Sequence, residues 1–110
     1  MKPQQTPIAV YRQGDVLVHR VASLPANAHP VANSDDRIVL AFGEVTGHAH
    51  AISTRFATMY VAQGERYLDV KAGAKLVHEE HATIELPEGI YKVVQQREYV
   101  PQSAPRDVAD

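Results

Sequence analysis

The chain has 110 residues, 45% of them hydrophobic and 22% charged, with a formal net charge of −2. That is the size and composition of one ordinary globular domain with a modest core, which excludes a disordered chain. Eleven Lys and Arg are scattered among thirteen acids, so there is no basic tract to displace counterions from a phosphate backbone, and nucleic acid is not an expected partner.

The absence of cysteine removes disulfides, thiolate metal sites and Cys nucleophiles together. The opening MKPQQTP lacks the apolar core of a signal peptide. No apolar run approaches the roughly twenty residues that span a bilayer. A cytoplasmic protein without a membrane partner is the expectation.

Residues 1–7 are polar with two prolines and read as a flexible N-terminus. From Ile8 the β-branched Ile8, Val10, Val16, Val18 and Val21 predict two short strands, broken by a turn at Gly14-Asp15. The QGD of that turn reads as turn chemistry without a binding role. ASLPANAHPVANSDD has no helical period and predicts a long surface loop. A strand restarts at Arg37. Gly43 and Gly47 then bracket Glu44-Val45-Thr46 as a tight turn or bulge. HAHAIS predicts a strand with His48, His50 and Ile52 on one face. Short strands follow at Thr58 to Val61, Tyr67 to Val70 and Leu76 to His78, with turns at Gly64 and KAGAK. The end reads as a hairpin: Thr83 to Leu86, the turn Pro87-Glu88-Gly89, then Ile90 to about Tyr99. Residues 101–110 form a polar tail. One stretch, ERYLDVKAGAKLVHEEHA, competes as a helix, but Gly73 and its β-branched residues weigh against that. The expected fold is all-β, a small barrel or sandwich of short antiparallel strands in one domain over 8–100.

Four of the six histidines sit in GHAH and HEEH. Neutral imidazole is a common ligand for borderline divalent metals. On a strand, positions i and i+2 share a face, so His48 and His50 present two nitrogens together. His78 and His81, at i and i+3, would face oppositely on a regular strand. A bulge or turn at Glu79-Glu80, or one helical turn, would bring them together. If the two segments are neighbours, all four histidines could meet at one ion: three with an open position suit catalysis, and four suit a structural site. HEEH is one residue short of the zinc-protease H-E-x-x-H. The plainer alternative is that these histidines cap loops or pair with Glu44, Glu79 and Glu80. Glu79 and Glu80 are candidate carboxylate ligands, orienters or general bases. His19 and His29 read as lying outside the cluster. Tyr91 and Tyr99 read as packing residues, and Arg97 as the partner of an acid such as Glu98.

The stretches YRQGDVLV, GEVTGHAH and LVHEEHATIELPEGIYKVVQQREY, spanning Tyr11 to Tyr99, resemble those of a family of small uncharacterised proteins of bacteria and their phages. That resemblance implies no particular chemistry. The chain is also loosely similar to cupins, β-barrels that hold a metal with an H-x-H pair, a downstream Glu and a later His. The likeness implies a His-bound metal, with His48, His50 and either His78 or His81 in the histidine parts. Where a cupin has its Glu, this chain has Ser53, Thr54 and Arg55, and it is short for a full cupin barrel.

Three functions follow as expectations. The first is a divalent-metal-binding β domain, with zinc ahead of nickel, iron or manganese, either structural or catalytic. The second is a metal-free hydrolase or phosphoesterase using His50 and His81 as acid and base, since His81-Ala82-Thr83 has the H-x-T form; HAHAIS lacks that form. The third is an accessory protein that binds a partner or forms a homo-oligomer through exposed strand edges.

Overall fold

Alternation of apolar and polar residues decides which side of each strand is buried. In Val16–Val21 the even positions Val16 and Val18 are fully buried while Leu17 and His19 are half-buried. The same two-residue period buries Ala57 and Met59, Leu68 and Val70, and Tyr91 and Val93. A computed structural model describes residues 10–33, 36–43 and 47–96. Ten strands occur among these residues, and no helix.

They are β1 (Val10–Gln13), β2 (Val16–Val21), β3 (His29–Pro30), β4 (Arg37–Phe42), β5 (Ala49–Ser53), β6 (Ala57–Ala62), β7 (Glu65–Val70), β8 (Ala74–His78), β9 (His81–Leu86) and β10 (Gly89–Gln95). One sheet has the order β1-β2-β10-β7-β6-β3 and the other β4-β5-β8-β9, with antiparallel pairing throughout. Neither closes on itself, so the fold is a sandwich rather than a barrel. The inner faces meet in one core that includes Val16, Val18, Leu68, Tyr91 and Val93 from the first sheet and Ile38, Leu40, Ile52, Leu76 and Leu86 from the second. Arg66 on β7 donates from Nη1 to the Leu40 carbonyl on β4, at 2.6 Å, tying sheet to sheet.

Most expected strands are present, several of them a residue or two longer. The helix competitor is instead β7, β8 and the start of β9, parted by turns at Ala72-Gly73 and Glu79-Glu80. The loop after β2 contains one surprise. His29 and Pro30 form a two-residue edge strand against Val61 and Tyr60 of β6. Proline fits there because an outer edge asks for no ladder donor. The tails at 1–7 and 101–110, the Ile8 start of the first strand, the Glu44-Val45-Thr46 turn, and Arg97, Glu98 and Tyr99 lie outside the described residues.

Two bulges sit beside the histidines. Between β4 and β5, Val39 faces Ala51 and Ala41 faces His50, so Leu40 is the extra residue. Between β8 and β9, Leu76 faces Ile84 and His78 faces His81. Two steps on β8 (76 to 78) thus match three on β9 (81 to 84), so β9 carries an extra residue there. Bulges of this kind re-aim side chains at the ends of strands.

Tyr91 is fully buried, packs edge-on against Tyr11 at 6.2 Å, and donates its hydroxyl to the Pro87 carbonyl at 2.6 Å. Tyr91→Ala is expected to cost about 3–5 kcal/mol through the cavity it leaves. Tyr91→Phe is expected to cost about 1 kcal/mol through the lost hydrogen bond. Urea unfolding of both variants checks this ordering.

Candidate functional site: a histidine cluster built on Gln13

The register of the β8–β9 hairpin brings the second histidine pair together. Glu79 and Glu80 form a two-residue turn, and His78 and His81 stand directly opposite across it. The turn and the bulge together turn an i,i+3 pair to one side. β5 lies next to β8 through Ala51 and Val77, which brings in His50. His50, His78 and His81 each offer a ligand atom within 4.8 Å of the others. Their ring centroids are 4.3 Å apart for His50–His78, 4.6 Å for His78–His81 and 5.7 Å for His50–His81. Burial is graded: His50 is buried, His78 half-buried and His81 exposed, so the cluster runs from the core to the surface.

His48 stands beside this trio, not within it. Its ring meets that of His78 edge-on at 5.8 Å. Its Nδ1 is buried without a hydrogen bond. Glu80 Oε2 is 3.4 Å away, close enough for an ion pair but too poorly aligned for a hydrogen bond. Glu79 is already engaged, since its Oε1 accepts the Ala49 amide at 3.0 Å. That bond, together with one from its own amide, holds the carboxyl below the usual range, with His48 and His78 adding to the effect and partial desolvation opposing it. Thr83, third residue of the H-x-T stretch, is exposed on β9. His19 on β2 and His29 on β3 are outside the cluster.

The QGD turn, expected to carry no binding role, closes the site. Gln13 follows the parity of Tyr11, so its side chain points into the sandwich, where it is 2% exposed. Its Nε2 donates to the carbonyls of Leu76 at 3.0 Å and Ala82 at 2.9 Å, on either side of the β9 bulge. With both amide hydrogens committed, Oε1 is left to accept. It lies 2.8 Å from His50 Nδ1. That nitrogen must therefore carry the imidazole proton, which leaves Nε2 as a bare lone pair. Gly14 follows with φ +59, and a Cβ there would meet His81 Nε2 at 3.0 Å and His50 Cε1 at 3.2 Å. A side chain there would be strained by the backbone angle and crowded by the rings. Asp15 comes next, with Oδ1 3.6 Å from His50 Nε2. Gln95 Nε2 donates to its other oxygen at 3.1 Å, and the Gln96 amide donates to its carbonyl at 2.7 Å. The parity of Gln13 with Tyr11 was the available signal, because a polar side chain at a core position demands partners.

His78 is oriented differently. The Glu80 amide donates to its Nδ1 at 3.0 Å, so the neutral ring carries its proton on Nε2. Either nitrogen becomes a ligand only when this bond is given up. Gly43 accommodates the ring, since a Cβ there would come within 2.9 Å of His78 Nε2.

Burial, and after it the His78 ring, hold His50 below its ordinary value of 6.5; Asp15 and Glu79 pull it up, and His81 pushes it further down. The unfolded chain therefore takes up this proton more readily than the folded one. The resulting stability is complete above 6.5 and is lost as pH falls below it towards the folded value. Chelator-treated protein is expected to show a Tm that drops on acidification through this range. Gln13→Leu is expected to lose about 1–3 kcal/mol, since it strands two carbonyls and the His50 N–H. Imidazole 15N NMR of that variant should show His50 no longer held in the Nδ1–H tautomer.

No curated protein and no solved structure matches the chain. Among the described residues, no helix is long and apolar enough to cross a membrane. A protein family described as Domain of unknown function (DUF8820) matches residues 12–96, a span that holds every residue of the cluster. The chain belongs to that family.

Proposed function

We propose that this protein binds one divalent transition-metal ion through His50, His78 and His81, with zinc ahead of nickel, iron or manganese. One observation carries the reading. Three imidazoles from β5, β8 and β9 converge within 4.8 Å, and the innermost is locked with Nε2 unprotonated. A buried glutamine that spends both amide hydrogens elsewhere and leaves its oxygen for an imidazole N–H is the kind of support that orients metal-bound histidines. Nitrogens about 2.0–2.1 Å from a tetrahedral zinc lie about 3.3 Å from one another, so small side-chain rotations close the trio. An all-imidazole set suits borderline ions such as zinc and nickel better than hard ones such as calcium.

The neighbouring residues fit supporting parts. Glu79 anchors the start of β5 through the Ala49 amide, and the Glu80 carboxylate lies beside His48. The two-histidine hydrolase reading gains little, because His50 is buried and paired with an amide where an acid–base histidine would have an orienting carboxylate.

Untagged protein is expected to carry about one equivalent of a transition ion by elemental analysis. His50→Ala and His81→Ala should each abolish it. Added zinc should raise stability by about 4 kcal/mol at a thousandfold excess over Kd. The Glu80 amide, released from His78 Nδ1, should shift in 15N NMR as the ion is added. Protein that holds no ion and melts unchanged with zinc, nickel, iron or manganese overturns this reading.

A further inference from the structure

Gln13 and Asp15 together produce an unusual juxtaposition. Gln13 forces the His50 proton onto Nδ1, so Nε2 points a lone pair outwards. What it faces, at 3.6 Å, is the Oδ1 of a carboxylate. These are two acceptors with no hydrogen between them, and they repel. Asp15 does not turn away, because its second oxygen accepts from Gln95 and its backbone carbonyl accepts from Gln96. A cation shared by both atoms turns the repulsion into attraction. The separation, 3.6 Å, is close to the spacing of about 3.3 Å between two ligands of a tetrahedral zinc. Asp15 lies outside the set of ligand atoms within 4.8 Å of one another, so its carboxylate must swing towards the trio for all four to share one ion.

We propose that Asp15 is the fourth ligand of the ion, completing a closed three-histidine, one-carboxylate site that fastens the β1–β2 turn of one sheet to β5, β8 and β9 of the other. This rests on the reading of His50, His78 and His81 as ligands. It also settles that reading towards a structural ion, because four protein ligands leave no position for substrate. The carboxylate supplies charge that three neutral imidazoles lack. The fold has no cysteine with which to make such a clip.

The test is Asp15→Asn in the full chain. Asparagine keeps an oxygen for Gln95 and offers an N–H to His50 Nε2, so it relieves the repulsion in metal-free protein while weakening the metal site. The variant is therefore expected to melt at or above wild type in chelator and below wild type in saturating zinc. A merely structural role would lower both. Zinc affinity, measured by competition with a chromophoric chelator, should fall at least about tenfold, since loss of a direct ligand costs no less than loss of an orienting group. The visible spectrum of the cobalt form should change. If the variant does not fold, 13C NMR of the wild-type carboxyl groups gives the same answer: zinc must shift the Asp15 resonance.

Wild type that binds zinc while Asp15→Asn binds within twofold, with an unchanged cobalt spectrum, overturns the Asp15 assignment and leaves the histidine reading standing. Wild type that takes up none of zinc, cobalt, nickel, iron and manganese overturns both.

Discussion

The side-chain amide of Gln13 is the constraint on which the cluster depends. It is a buried polar group at the end of an edge strand, and such a group is tolerated only when its nitrogen and its oxygen both find partners. Here the partners are two backbone carbonyls and one imidazole N–H, from three strands of the opposite sheet. The amide therefore performs three tasks. It satisfies carbonyls at a bulge where the ladder is broken, joins the two sheets at one margin of the sandwich, and sets the protonation pattern of His50. None of these could be changed without the others. An apolar residue of similar volume would fill the space but leave three polar groups stranded in the core.

A neutral imidazole inside a hydrophobic sandwich is also a choice about charge. His50 lies next to Ile52 and opposite Ala41, where protonation is disfavoured by desolvation and by neighbouring rings. The outer histidines lie closer to water. The cluster thus presents a lone pair at its base and more adaptable groups towards the surface. It resembles a socket with a rigid floor and a compliant rim, in which Gly14 allows the β1–β2 turn to lie against the rings.

The strands were legible because the β-branched residues keep a two-residue period, as in Val16 and Val18, and because Gly64 and Pro87-Glu88-Gly89 mark turns with little ambiguity. The grouping of histidines was legible for the same reason: the HEEH spacing fits a hairpin whose turn is two residues long. Two aspects were not. Which of four imidazoles converge depends on an extra residue in β9, and bulges have no local sequence signature here. His48, alike in spacing to His50, precedes the regular part of β5 and lies to one side. The role of Gln13, Gly14 and Asp15 was hidden because QGD is also good turn chemistry, and the turn reading accounted for all three residues. Only the approach of β1 to β8 and β9, through partners far away in the chain, shows that a turn and a site coincide.

Gln13 reaches Leu76 and Ala82 across 63 and 69 positions of sequence. A contact so distant exists only once nearly the whole sandwich has assembled, because β1 is held by β2, and β2 by β10. A peptide excised around both histidine pairs would keep every imidazole yet lose the group that fixes the innermost one. The arrangement belongs to the finished tertiary structure and cannot be carried by a fragment, so its formation would serve as a late and sensitive reporter that folding is complete.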